Sequence, residues 1–210
     1  MKIRTDFVTN SSSSSYCVSL AVIKQGKKRA IKFDPWPEDE DGSGEVNIAL
    51  SKSIEDFIDG ITNCDSIGEL REILANGIDP SNSLDDDVDV REKYPDFSEK
   101  LEKFKKQLNK IKSIDEIEGI RINEYFTGWG EFARDGVSDF LEKALPDEVD
   151  MDDSDAVAGA LSGKMSNKEI ETIVDQINND TIAMFVANIT TEVQLKDGSI
   201  SKKYEFEEIS

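Results

Sequence analysis

The sequence predicts an α+β fold: a largely antiparallel sheet built from terminal β-hairpins and a central Ile120–Phe132 strand segment, with four to five helices packed on one face. Three observations carry this. Alternating apolar runs near each end flank a Lys- and Gly-containing turn. The pattern S-I-x-[DE]-apolar recurs ahead of apolar residues at helical spacing. A central run, Glu124 to Phe132, is dense in aromatics and glycine.

In chain order, Tyr16–Ile23 and Arg29–Phe33 read as strands joined by Lys24-Gln25-Gly26-Lys27-Lys28, a hairpin-length connection. Residues 34–44 hold Pro35, Pro37, Gly42 and Gly44, which break both regular structures, so they form a loop. Glu45–Leu50 reads as a short third strand. Residues 79–95 and 145–155 are further acidic connectors. Ile182–Leu195 and Ile200–Phe206 flank Lys196-Asp197-Gly198-Ser199, and Asp-Gly between alternating runs is among the strongest hairpin signals. On the last strand Ile200, Lys202, Tyr204 and Phe206 share one face, which makes it half exposed.

Ser53, Ser66 and Ser113 open the three full copies of the repeat, and Ser166 a looser fourth. A serine oxygen accepts an orphan backbone N–H, and the acid three residues on reaches back to the cap. Helix starts are therefore expected at all four, and the same contexts serve poorly as phosphorylation sites. Ile67, Leu70, Ile73 and Leu74 mark one apolar face, ended by Gly77. Leu101, Phe104, Leu108 and Ile111 mark another, with Lys100, Lys103, Lys105, Lys106 and Lys110 on its exposed side. Ile170, Ile173, Val174 and Ile177 mark the last.

Length and a hydrophobic content of 37% fit one domain spanning 1–210, with a Ser-rich N-terminal segment over 1–15. The net charge of −20 is unevenly placed, because residues 1–32 hold seven Lys/Arg against the single Asp6. An acidic body repels nucleic acid and anionic membrane and favours basic protein partners or cations. The basic cluster around Gly26 reads as a solvated hairpin tip, with a phosphate-binding patch as the minor reading. No export signal is expected, since the polar Thr9–Ser15 block separates Lys2 and Arg4 from the apolar run. Cys17 and Cys64 have no C-x-x-C spacing, so a reduced, cytoplasmic chain follows.

The N-terminus resembles one shared by many bacterial and phage proteins of no assigned activity, of the form K-I-R-x-x-F-V-x-N-S-S-S-S-S-F. Lys2, Ile3, Arg4, Phe7, Val8, Asn10 and Ser11 to Ser15 match, with Tyr16 in place of the usual Phe. The resemblance implies a recognised terminus and no reaction.

With no histidine in the chain, Ser-His and Cys-His activation and the commonest metal ligand are absent. No Walker-type loop or G-x-G-x-x-G follows a strand. These features weigh against an enzyme, and no cofactor or catalytic residue is assigned. Asp39, Asp41, Ser43 and Glu45 match part of a calcium loop, but Leu50 stands where the bidentate Glu belongs. The remaining candidates are contact residues. Tyr125 and Trp129 would line a groove, Glu124 or Glu131 would bind a ligand's polar end, and Trp36 between two prolines would be a partner anchor. The leading functional expectation is an acidic protein-binding or regulatory module. The alternatives are a metal-assisted hydrolase centred on Glu124 and Glu131, and an assembly protein recognised through its serines.

Overall fold

The computed structural model describes residues 13–34, 54–77, 95–130, 140–151, 153–179 and 183–208, apart from the side chains of 13–18, 76, 95, 125–130, 179, 183–185 and 208. The strands are β1 (Ser13–Lys24), β2 (Ile31–Phe33), β3 (Ile117–Gly130), β4 (Ala183–Gln194) and β5 (Ile200–Glu208). The helices are α1 (Ile54–Thr62), α2 (Ile67–Asn76), α3 (Pro95–Leu108), α4 (Ser154–Leu161) and α5 (Asn167–Asn179). Residues 140–144 are also helical. The fold is α+β, with one five-stranded antiparallel sheet in the order β2-β1-β3-β4-β5.

Both hairpins form for the expected reason. Gly26 and Gly198 adopt φ of 62° and 69°, a left-handed conformation that costs other residues more. Lys27 N–H bonds the Lys24 carbonyl at 3.0 Å, and Gly198 N–H bonds that of Gln194 at 2.9 Å. The Asp197 carboxylate accepts from Ser199 N–H at 3.0 Å, an Asx-type closure of the second turn. β2 pairs with β1 through Leu20↔Phe33, Ala21↔Lys32 and Val22↔Ile31. The last three serines of the N-terminal run already belong to β1, while residues 1–12, Trp36 and the expected Glu45–Leu50 strand lie outside the described residues.

The chain forms two compact units, to each of which β3, β4 and β5 contribute. In the first, α1, α2 and α3 cover Leu20, Val22, Ile31, Phe33, Ile120, Ile122 and Val193. Phe33 is the centre of its aromatic packing, 5.6 Å edge-on from Phe97 and 5.7 Å from Phe104. Gly77 ends α2 in a right-handed conformation, φ −68°. It is glycine for want of room: a Cβ there would press into the Phe57 ring and lie 2.6 Å from the Ile73 carbonyl oxygen. Arg71 ties α2 to the end of α3 by donating to the carbonyls of Leu108 at 3.2 Å, Asn109 at 3.4 Å and Ile111. Cys64 is a buried free thiol, its Sγ donating to the Ile61 carbonyl at 3.1 Å. Burial, with the Glu69 charge next, pushes that thiol up, so it behaves as a small apolar group.

The Ser113 copy of the repeat departs from expectation. Ser113 does cap, but only a single 3-10 turn, Ile114–Glu116. Three β-branched residues, Ile117, Ile120 and Ile122, follow at once with Gly119 among them, and that composition suits a strand better than a helix. Ser113 and Glu116 form a capping box, and Ser166 forms the same box ahead of a full helix, α5. Its hydroxyl accepts from Glu169 N–H at 3.3 Å, and Glu169 accepts from Ser166 N–H at 2.9 Å.

In the second unit α4, α5 and residues 140–145 enclose Val157, Leu161, Ile170, Ile173, Ile177, Ala187, Ile189, Tyr204 and Phe206. Gln176 shares the inward face of α5 with Ile173 and Ile177, is 4% exposed, and its side-chain amide has no hydrogen-bond partner among the described residues. An orphaned buried amide costs free energy. Gln176→Met keeps the length and removes the polar atoms, so it is expected to stabilise the protein by about 1 kcal/mol in a urea melt.

Candidate functional site

Glu124 occupies the inward phase of β3. Ile120 and Ile122 precede it at two-residue spacing, both fully buried, and Glu124 is itself 4% exposed. A lone buried carboxylate is costly, so it needs a cation or donors. Lys143, from the 140–144 helix, supplies the cation: its Nζ lies 3.2 Å from Glu124 Oε2, with the lysine side chain 34% exposed. Phe140, one turn earlier on the same helix, packs edge-on to Tyr204 at 6.4 Å and against Phe206 at 5.6 Å. Burial pushes the Tyr204 phenol up, and the Glu124 charge adds to this. Glu124, Lys143 and Tyr204 thus form a polar cluster inside an aromatic wall, all within the second unit. In chemical terms this is a neutralised, anchored carboxylate. Among the described residues no group of three His, Cys, Asp or Glu could hold a metal ion.

Of the other expected site residues, Tyr125 and Trp129 fall on β3. Trp36, Glu131 and the calcium-loop candidates Asp39, Asp41, Ser43 and Glu45 lie outside the described residues.

Glu169 joins a helix start to the sheet. Its Oε1 accepts from Phe206 N–H of β5 at 3.1 Å, while Oε2 serves the Ser166 cap. Partial burial works to raise this carboxyl, but the Ser166 hydroxyl and N–H bonds, the Phe206 N–H bond and the nearby Lys203 together hold it below its ordinary value of 4.5. A depressed carboxyl stabilises the fold above its unfolded pKa and loses that contribution as pH falls through the folded one. Glu169→Gln is therefore expected to lower the melting temperature at neutral pH and to flatten its decline below about pH 4.5. An acid limb as steep as wild type would refute this role.

A second arrangement lies on the sheet face opposite the first unit's core. Asn123 Nδ2 donates to Ser19 Oγ at 3.1 Å and Thr190 Oγ1 donates to Asn123 Oδ1 at 3.1 Å, linking β1, β3 and β4. Beside it Arg121 bonds Glu192 Oε2 through Nε at 3.1 Å and Nη2 at 2.8 Å, and Gln194 bonds Oε1 at 2.8 Å. These five hydrogen bonds tie β1, β3 and β4 together and so order the sheet.

One acidic surface lies along α1, α2 and the turn between them. Residues 55–72 carry Glu55, Asp56, Asp59, Asp65, Glu69 and Glu72, all exposed. The one cation among them, Arg71, gives its guanidinium to the carbonyls at the end of α3. Sequence reasoning missed this surface because it followed the connectors, where acids are denser. No family model matches the chain, and no curated protein or solved structure matches it.

Proposed function

We propose that the chain is a cytoplasmic acidic protein-binding module that meets a basic protein partner through its carboxylate-rich surface. The supporting observation is the outer side of α1, α2 and the turn between them, where six exposed carboxylates face solvent around one cation engaged elsewhere. A surface of one sign speeds encounter with an oppositely charged partner and rejects like-charged ones. The free, buried Cys64 fits a reducing compartment, and no helix among the described residues is long and apolar enough to cross a membrane. The hydrolase alternative draws less support, because Glu124 is bonded to Lys143 where a general base or metal ligand would need an open carboxylate.

Recognition through the serine terminus remains the second reading, favoured by the start of β1 at Ser13. Its test deletes residues 1–12, which leaves the strand intact. Loss of a partner without loss of the thermal melt supports it.

The acidic-surface reading is tested by capture on immobilised protein from a cell lysate at low and high ionic strength. Basic proteins should be retained at low salt, released at high salt, and retained less by Glu55→Gln/Asp59→Asn/Glu72→Gln. Equal retention by the variant counts against it.

A further inference from the structure

In a chain with 45 acidic and 25 basic residues, cations should meet carboxylates readily. Eleven of those 25 nevertheless fall in residues 24–32 and 100–112, which together contain one acid, Glu102. The fold joins the two stretches within the first unit. Phe104 of α3 packs on Phe33 of β2. The β1–β2 turn is bonded to the 3-10 turn after α3, Gln25 N–H donating to the Glu116 carbonyl at 2.8 Å. The Glu116 carboxyl is held low first by the Lys112 N–H bond, and the charges of Lys24 and Lys112 both reach it. Turn and helix end are therefore neighbours.

Lys103 and Lys106 of α3 and Lys110 in the turn just beyond it line a shallow groove of about 440 Å³ with Glu99, Glu102 and Gln107. Among the described residues these three lysines make no ion pair, nor do Lys27, Lys28 and Arg29 on the turn. Lysines at a helix end often serve its carbonyls, but here Arg71 takes those of Leu108, Asn109 and Ile111.

We propose that this basic ridge docks an acidic polypeptide segment of a partner protein, whose carboxylates meet Lys103, Lys106 and Lys110 and then Lys27, Lys28 and Arg29. The helical rise places Lys103 and Lys106 about 4.5 Å apart along the axis. Alternate residues of an extended peptide repeat at about 6.6 Å, a spacing that the long, flexible lysine side chains reach from either side. Nucleic acid fits less well. Single strands are held by exposed aromatic platforms, whereas Phe97 and Phe104 of α3 are buried. A duplex, with a charge about every 1.7 Å, is also disfavoured by the chain's net charge of −20. This surface is of opposite sign to the one proposed for the basic partner and stands or falls separately.

The test is fluorescence anisotropy of the whole protein with a short labelled peptide of alternating Glu and Ser, beside an oligothymidylate of equal charge. Wild type is expected to bind the peptide more tightly than the oligothymidylate. Lys103→Gln/Lys106→Gln/Lys110→Gln is expected to lose about tenfold in affinity, three exposed pairs at their modest individual worth. Lys27→Gln/Lys28→Gln should lose a smaller factor, and it decides the matter should the helix variant lose its far-UV signal. No peptide binding by wild type at low ionic strength, equal binding by wild type and both variants, or tighter binding of the oligothymidylate overturns the proposal.

Discussion

Phe33→Ala is expected to destabilise the protein by about 4 kcal/mol, the range for deleting a buried aromatic. Phe33 is 1% exposed and its ring meets both Phe97 and Phe104, so the substitution opens a cavity and removes two aromatic pairs together. The consequence is larger than for a residue in a long strand. β2 has only three residues, and its hold on the first unit rests on Phe33 and Ile31. Phe33→Leu refills most of the space and should cost less than half as much in the same urea denaturation series. Similar losses from both substitutions would show that the aromatic packing around Phe33 matters little.

Lys143→Met is expected to cost about 3 kcal/mol, at the low end for breaking a buried ion pair, since the lysine is one-third exposed. The loss comes less from the missing attraction than from leaving the Glu124 carboxylate buried without its cation. Removing both charges should then undo most of the damage. Glu124→Gln/Lys143→Met is expected to be more stable than Lys143→Met alone, a coupling that a double-mutant cycle measures. Simple addition of the two single effects would mean that the pair is not energetically linked.

Much of the fold was legible because local chemistry and tertiary packing agree. Gly26 and Gly198 stand where the turns need a left-handed residue, and Ile170, Ile173 and Ile177 trace the inward face of α5. The elements that escaped notice lack such a signature. α4 reads SDAVAGAL, with only Val157 and Leu161 fully buried, and its small residues look like connector in a single sequence. Ser113 carried a true capping signal, yet capping specifies a start and not a length. The β-branched run behind it decided the outcome.

The site was legible only in part, for a different reason. The alternation Ile120, Ile122, Glu124 does place the carboxylate inward, but its cation lies 19 residues away on another element. Arg71 likewise reaches carbonyls 37 to 40 residues on. No periodicity encodes such pairings; they follow from the three-dimensional arrangement of elements. The two lysine-rich stretches were each visible in the sequence, and their adjacency came from the Gln25–Glu116 backbone bond.

The central claim, that the carboxylate surface of α1 and α2 receives a basic partner, is tested most directly by NMR. Backbone amide shifts of the isotopically labelled protein would be followed during titration with a Lys/Arg-rich peptide. The account predicts saturable shifts concentrated in residues 54–72, weakened by salt and by Glu55→Gln/Asp59→Asn/Glu72→Gln. Shifts that spare residues 54–72, or that persist unchanged in the variant, would contradict it.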